Sequence, residues 1–185
     1  SSDVCSSDLV QRHDDGVDVT TDDGTTQRFD SVVVATHADD ALRILIDADE
    51  KERADLASCT YSVNPTWLHQ DASVLTPSVR TRGSWNYRIA SCNEDAPHVL
   101  VSYWMNRLHG LESSDDYLVT LNPAGHVNES TVLARMKYAH PVFTPEAVNA
   151  AARISAAGGP RLAFAGAHLG WGFHEDGARS GLAAA

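Results

Sequence analysis

The stretch from Phe164 to Ala184, FAGAHLGWGFHEDGARSGLAA, decides the expected fold of this chain. Arg161–Ala165 is predicted to be a buried strand, a loop with three glycines follows it, and a helix of small residues is predicted to begin near Asp176. Glycine lets the backbone approach a ligand closely, and the free N–H groups of a helix start favour an anionic group. A glycine-rich turn is also a common connection in α/β proteins. This stretch alone therefore supports a cofactor-binding loop and a plain strand-to-helix connection equally.

The segment before residue 60 predicts a second piece of α/β structure. Val17–Thr21 and Gln27–Asp30 flank an Asp-Asp-Gly turn signal and predict a hairpin. Ser31–Thr36 is a run of mainly β-branched residues, which is typical of a strand that is buried on both faces. Helical spacing over Asp39–Ile46 and over Asp49–Ala57 predicts two helices after that strand.

Between residues 59 and 140 the pattern changes to short segments that are rich in aromatic and β-branched residues. These segments are Thr66–Gln70, Ser84–Ile89, Val99–Arg107, Tyr117–Leu121 and Val132–Tyr138. They predict an antiparallel sheet that is inserted between the two α/β pieces. A helix is predicted over Pro145–Ala157, with Thr144 as its N-cap and Pro145 at its first position.

Composition and charge exclude several classes of protein. The formal net charge is −11 and Lys and Arg form no cluster, so nucleic acid is a poor partner. Cys5, Cys59 and Cys92 form no CxxC pair, which fits a reducing compartment. No apolar run approaches the roughly 18 residues of a membrane helix, and no signal peptide is present, so we expect a cytoplasmic protein. Ser1–Leu9 lacks helical and strand periodicity, and we interpret it as non-native or disordered. The oligomeric state stays open.

Six ordered motifs resemble a known family of flavoenzymes. The Asp-Gly-Ala at 176–178 and the Ser-Gly at 180–181 resemble the C-terminal flavin motif of the amine oxidase and phytoene desaturase superfamily. Over roughly residues 10–185 the chain is similar to bacterial FAD-dependent, amine oxidase-like oxidoreductases and to the flavin domain fused ahead of some plant cyclopropane fatty acid synthases. The motifs are VATHAD (Val34–Asp39), SWNY (Ser84–Tyr87), YWMNRL (Tyr103–Leu108), LNP (Leu121–Pro123), YAHPVF (Tyr138–Phe143) and GFHEDG (Gly172–Gly177).

The resemblance implies an α/β fold, α+β in its middle, in which an FAD/NAD(P)-binding Rossmann-like domain is split by an antiparallel-sheet substrate domain. Residues 10–47 and 160–185 would belong to the FAD-binding domain and residues 48–159 to the substrate-binding domain. The implied FAD-binding residues are Thr36, His37, Gly166, Ala167, His168, Gly172, Phe173, His174, Glu175, Asp176 and Gly177. The sequence lacks the GxGxxG loop that cradles a pyrophosphate. We expect that loop upstream of residue 10, and we expect the chain to be a C-terminal fragment that is inactive alone.

Other side chains are candidates for substrate binding and proton transfer. The aromatic residues Trp85, Tyr87, Tyr103 and Trp104 could line an apolar substrate pocket, or could simply pack in a core. His174 is a candidate proton relay because imidazole titrates near neutrality, and a structural role for it is equally open. No HExxH or comparable motif is present, so we predict no metal.

Two functions from different classes follow. The first is an FAD-dependent oxidoreductase that oxidises or desaturates a hydrophobic small molecule, a lipid among the candidates, by hydride transfer to the flavin. The alternative is a catalytically idle flavin-fold module that serves as a structural or docking domain beside a lipid-modifying enzyme. Ala167, which stands where amine oxidases usually have an acidic residue, and the missing phosphate loop support this alternative. An NAD-linked dehydrogenase is a third option that depends on the upstream loop.

Overall fold

The computed structural model describes residues 7–89 and 99–185. They form two compact units, the first from the segments that end at Tyr61 and begin at Pro141, and the second from Ser62–His140. The family resemblance implies boundaries at 47–48 and 159–160 instead. The difference arises because two helices on either side of the middle segment, at 50–58 and 145–156, pack against each other within the first unit.

The part of the chain that the structure describes contains both strands and helices. The strands are β1 (Ser7–His13), β2 (Gly16–Thr21), β3 (Thr26–Phe29), β4 (Val32–Val34), β5 (Tyr61–His69), β6 (Trp85–Arg88), β7 (Leu100–Trp104), β8 (Leu118–Leu121), β9 (Val132–Pro141) and β10 (Leu162–Phe164). The α-helices are α1 (Ala38–Ile44), α2 (Glu50–Ser58), α3 (Met105–His109), α4 (Pro145–Ala156) and α5 (His174–Ala184). Among the described residues, none of the helices has the length and apolar character that crossing a membrane requires.

The first unit begins with a three-stranded antiparallel sheet in the order β1-β2-β3. Pairing of β2 with β3 confirms the predicted hairpin. β1 begins at Ser7, so residues 7–9 do not lie outside the fold as we expected for Ser1–Leu9: Ser7 pairs with Thr21 and Leu9 with Thr20. Strand pairing uses backbone groups, so it can extend into a segment whose side chains show no periodicity.

β4 and β10 form a parallel pair in the first unit, in which Val32, Val33 and Val34 stand opposite Leu162, Ala163 and Phe164. The prediction that the strand at 31–36, which is β4, is buried on both faces is wrong for Val33, whose exposed fraction is 47%. The described residues supply only two strands to this sheet and leave the Val33 side uncovered. The opposite side, with Val34, faces the core.

Helices enclose the core of the first unit. Leu45, which follows α1, is fully buried and forms a bridge to Val10 of β1. α2 is capped by Asp49, whose carboxylate accepts a hydrogen bond from the Glu52 amide at 2.7 Å. The Thr144 hydroxyl accepts one from the Ala147 amide at 3.0 Å, which confirms the predicted N-cap of α4.

The second unit is a five-stranded sheet in the order β6-β7-β8-β5-β9. Its pairs β6–β7, β7–β8 and β5–β8 are antiparallel, as the sequence predicts. The strand predicted over Val99–Arg107 is shorter, because the chain turns into α3 at Met105 and leaves it through Gly110 at a φ of +61°. One face of the sheet is covered by a small core around Leu100 and Leu118.

A buried polar chain crosses that covered face. The His69 imidazole is fully buried, and its Nδ1 accepts a hydrogen bond from the Asp71 amide at 3.1 Å. Its Nε2 therefore carries the proton and donates to the Thr120 hydroxyl at 2.7 Å. Thr120 in turn lies 2.8 Å from the Ser102 hydroxyl. Burial lowers the pKa of His69, so the ring is neutral in the folded protein at neutral pH.

Candidate functional site

The carboxyl ends of β4 and β10 bring two predicted site segments to one edge of the first unit. The Ala165 amide donates to the Val34 carbonyl at 3.0 Å, so both strands end side by side. Thr36 and His37 continue from one strand end, and Gly166 continues from the other. In open α/β sheets, ligands bind outside the carboxyl ends of parallel strands.

Two histidines and a tyrosine lie close to these strand ends. The ring of His37 stacks on Tyr61 with centroids 4.3 Å apart, and the Tyr61 hydroxyl accepts a hydrogen bond from the Ala38 amide at 2.9 Å. Burial raises the pKa of Tyr61 to about 12, so its hydroxyl keeps its proton. Burial, and to a lesser extent the neighbouring His37, lowers the pKa of His168. The His168 imidazole is therefore neutral at neutral pH.

The segment after β10 packs on α5 through small residues and is hydrogen-bonded to the Ser180 hydroxyl. Ser180 accepts a hydrogen bond from the Gly166 amide at 2.9 Å and donates to the Gly177 carbonyl at 2.9 Å. Gly177 itself lies against Ala167, since a Cβ on Gly177 would stand 3.8 Å from the Ala167 nitrogen. A side chain at position 166 would not fit, because a Cβ on Gly166 would come within 2.6 Å of the His168 ring.

Asp176 is buried, with 7% of its surface exposed, and its carboxylate faces the loop before α5. It accepts hydrogen bonds from the amides of Trp171 at 3.0 Å and Phe173 at 3.1 Å, and pairs with Arg179 at 2.7 Å. The Phe173 and Trp171 amides hold the pKa of Asp176 below its usual range. The sequence predicts Asp176 as a cofactor contact, but its carboxylate is occupied by the protein's own groups.

The start of α5 offers free donors. The amides of His174 and Glu175 donate to no acceptor within residues 7–89 and 99–185, and both side chains are exposed. The predicted helix start near Asp176 is therefore two residues late. Trp171 and Phe173 just before it are also open to solvent, with exposed fractions of 62% and 70%. The first turn of an 11-residue helix can receive an anionic or electron-rich group here.

Gly172 separates these two aromatic residues and has a φ of +83°, a conformation that L side chains rarely adopt. A Cβ on Gly172 would also stand 3.1 Å from Cζ of Phe143, whose ring packs beside Trp171. We expect Gly172→Ala to lower the free energy of unfolding by about 1–2 kcal/mol. Urea unfolding measures this loss. Gly24→Ala, at a φ of +79° with open space around it, is the matched control and should lose only the backbone part.

The four aromatic residues predicted for a substrate pocket divide between two faces of the second unit's sheet. Trp85 pairs with Tyr103 across β6 and β7, and Tyr87 lies beside Trp85 with ring centroids 5.9 Å apart. These three share the face opposite the buried core. Trp104 lies on the covered face, where its indole N–H donates to Asp116 at 2.8 Å. Successive strand residues point to opposite faces, which separates Trp104 from Tyr103.

A group of possible metal ligands occurs at the start of α1. Ligand atoms of His37, Asp39 and Asp40 lie within 4.8 Å of one another. The Asp39 carboxylate accepts the Asp40 amide at 3.0 Å, and Asp40 pairs with Arg43 at 3.1 Å. The positive end of a helix favours carboxylates and disfavours a bound cation. Local helix chemistry explains the group, and we assign no metal to it.

Tyr61, Ser180 and Trp171 were not among the predicted site residues. Trp171 carries a signal that could have found it, because an aromatic residue between two glycines in a loop has little local partner to pack on. Ser180 belongs to the Ser-Gly pair of the flavin-like motif, which marks its position but not its contact, and Tyr61 carries no such signal. Their roles depend on contacts with His37 and Gly166 that only the folded chain creates.

Comparison with known proteins identifies the fold. No family model matches the chain, and no curated protein matches its sequence. Similar solved structures include a conjugated linoleic acid (CLA)-producing fatty acid isomerase from P. acnes (TM-score 0.58, 14% identity) and cyclohexylamine oxidase from Brevibacterium oxydans (TM-score 0.57, 13% identity). A double mutant of putrescine oxidase is similar as well (TM-score 0.56, 13% identity). In the order given, the matches cover 95%, 96% and 95% of this chain. The chain spans 45%, 46% and 46% of the length of the three enzyme chains. The chain thus has a mixed α/β fold similar to part of these enzymes.

Proposed function

We propose that the protein containing this chain is an FAD-dependent oxidoreductase, and that the first unit holds the isoalloxazine end of the cofactor. The observation that carries the proposal is the pair of free amides of His174 and Glu175 at the start of α5. They belong to the same unit as the paired carboxyl ends of β4 and β10, where α/β folds bind nucleotide cofactors. The fold similarity to two oxidases and an isomerase supports the proposal.

The residues of the tail fit one end of FAD and not the other. The amides of His174 and Glu175 would donate to the electron-rich edge of the ring, and the backbone at Gly166–His168 and at Thr36–His37 would line its approach. No GxGxxG loop is present in this sequence to hold the pyrophosphate. When bound, the flavin would supply hydride acceptance, and the protein would supply orientation, electrostatics and exclusion of water.

The chain's own residues would contribute in three ways. The positive end of α5 would favour negative charge on a group placed against it. The exposed imidazole of His174, the first residue of α5, could exchange a proton between solvent and that group. His168 is half-buried and neutral, so it would act as a hydrogen-bonding group and not as a cation.

The second unit supports the proposal that the substrate is hydrophobic. The side chains of Trp85, Tyr87 and Tyr103 form an aromatic patch on the sheet face away from the core, and Trp85 and Tyr87 are largely exposed. An exposed apolar patch of this kind is typical of a surface that binds an apolar partner. The fatty acid isomerase among the similar structures favours a lipid as the substrate class.

A substitution at the first residue of α5 tests the proposed cofactor contact. His174→Pro removes one free amide and keeps the helix start, because proline is well tolerated at the first helical position and Phe173 before it is extended. We expect the affinity of the full-length protein for FAD to fall about tenfold, the effect of one lost hydrogen bond. His174→Ala, which keeps the amide, should change it less than about threefold. Titration of the apoprotein with FAD measures both.

The visible spectrum of the full-length protein separates the two functions. Bound flavin that is bleached anaerobically by an apolar amine or a fatty acid would support the oxidoreductase. Bound flavin that no donor reduces would favour the idle module. A protein that shows no flavin absorbance after reconstitution would overturn the proposal altogether.

A further inference from the structure

The carboxylate of Asp176 satisfies two amides of the loop 170–173 with a single oxygen. Its Oδ2 lies 3.0 Å from the Trp171 nitrogen and 3.1 Å from the Phe173 nitrogen, while Oδ1 receives Arg179 at 2.7 Å. Without this oxygen, both amides would be left without an acceptor near the free donors of α5. The carboxylate therefore determines which amides at the helix start remain available to a ligand.

The loop 170–173 packs closely against the Asp176 carboxylate. A Cβ built on Gly170 would overlap the Asp176 carboxyl group, so the loop passes directly over it. The loop is held on its other side by the Gly172 amide, which donates to the Ala167 carbonyl at 3.0 Å. At the second of these attachments, Gly172 adopts its φ of +83°. The geometry leaves Asp176 the role of holding the loop.

We propose that Asp176 is a positioning residue, which fixes the loop 170–173 and the start of α5 without touching the cofactor. The link to a cofactor rests on the proposed function, whereas the fixing of the loop does not. Burial and hydrogen bonding support this division. Asp176 is 7% exposed, and both oxygens of its carboxylate already accept hydrogen bonds from the loop amides and from Arg179.

Hydrogen exchange of the full-length protein without cofactor tests the positioning role. We expect Asp176→Ala to reduce the protection of the Trp171 and Phe173 amides at least about tenfold, because both lose their acceptor. Asp176→Asn keeps one oxygen that can accept both bonds, so protection should stay within about threefold of wild type. Unchanged protection in Asp176→Ala would overturn the proposal.

A double substitution tests the packing of the loop on Asp176. Gly170→Ala should lower the protection of the loop amides more when Asp176 is present than in Asp176→Ala, because alanine removes the overlapping carboxyl group and leaves only the Cβ of residue 176, at 2.7 Å. Additive effects of the two changes would contradict the proposal.

Cofactor binding separates this inference from the proposed function. Asp176→Asn should bind FAD within about threefold of wild type and with an unchanged flavin spectrum, whereas Asp176→Ala should bind about tenfold more weakly. A shifted spectrum and lost affinity in Asp176→Asn, with normal loop protection, would show a direct contact and overturn the positioning role. Lost loop protection in Asp176→Ala in a protein that never binds FAD would support the positioning role and overturn only the proposed function.

Discussion

Leu45→Ala is expected to lower the free energy of unfolding of the first unit by about 3 kcal/mol, within the range for large-to-small changes in a core. Leu45 has no exposed surface and lies where the end of α1 meets β1, in a core that also contains Val34 and Phe164. Truncation would remove burial of its side chain and leave a cavity beneath the strands that carry the candidate site. We therefore expect weaker cofactor retention as well as lower stability.

Urea unfolding followed by circular dichroism measures this change. The matched control is Leu182→Ala on α5, because Leu182 is 82% exposed and its loss should alter stability by no more than about 0.5 kcal/mol. Equal effects of the two substitutions would mean that Leu45 is not in the core.

His69→Leu is expected to lower the free energy of unfolding by about 2–4 kcal/mol at pH 7. Leucine fills much of the space, but it leaves the Asp71 amide without its acceptor and removes one of the two partners of the Thr120 hydroxyl, which keeps Ser102. A buried polar group left unpaired costs about 1–3 kcal/mol. His126→Leu, at an exposed histidine of the same unit, should change stability by less than about 0.5 kcal/mol. Chemical unfolding at pH 7 compares the three proteins.

His69 also makes the free energy of unfolding depend on pH. Burial lowers its pKa in the folded protein below the ordinary value of 6.5, so the unfolded chain binds a proton first as the pH falls. Stability that is present above pH 6.5 is therefore lost as the pH falls toward the folded pKa. Unfolding curves recorded between pH 7.5 and pH 5, an interval chosen around that value, should show the gap between wild type and His69→Leu narrowing with acid. A constant gap would contradict a buried neutral His69.

Local signals in the sequence predicted a large part of the fold. The Asp-Asp-Gly turn between β2 and β3, the Thr144 cap of α4 and the alternating aromatic segments of the second unit were confirmed. Each depends on neighbours a few residues away, through turn geometry, capping or strand periodicity. The prediction failed where a segment's surroundings mattered, as at Val33, whose β-branched run indicated two buried faces.

The sequence by itself determined that a strand, a glycine loop and a small-residue helix end this chain, because glycine and helix-start signals act locally. Only the tertiary structure decided what those residues do. The stacking of His37 on Tyr61, the tie between Gly166 and Ser180, and the placement of Trp104 on the covered face of its sheet require partners brought together by folding. Asp176 shows the difference most clearly, since its position before a helix glycine is visible in the sequence, but whether its carboxylate faces a ligand or the loop depends on how the backbone folds over it.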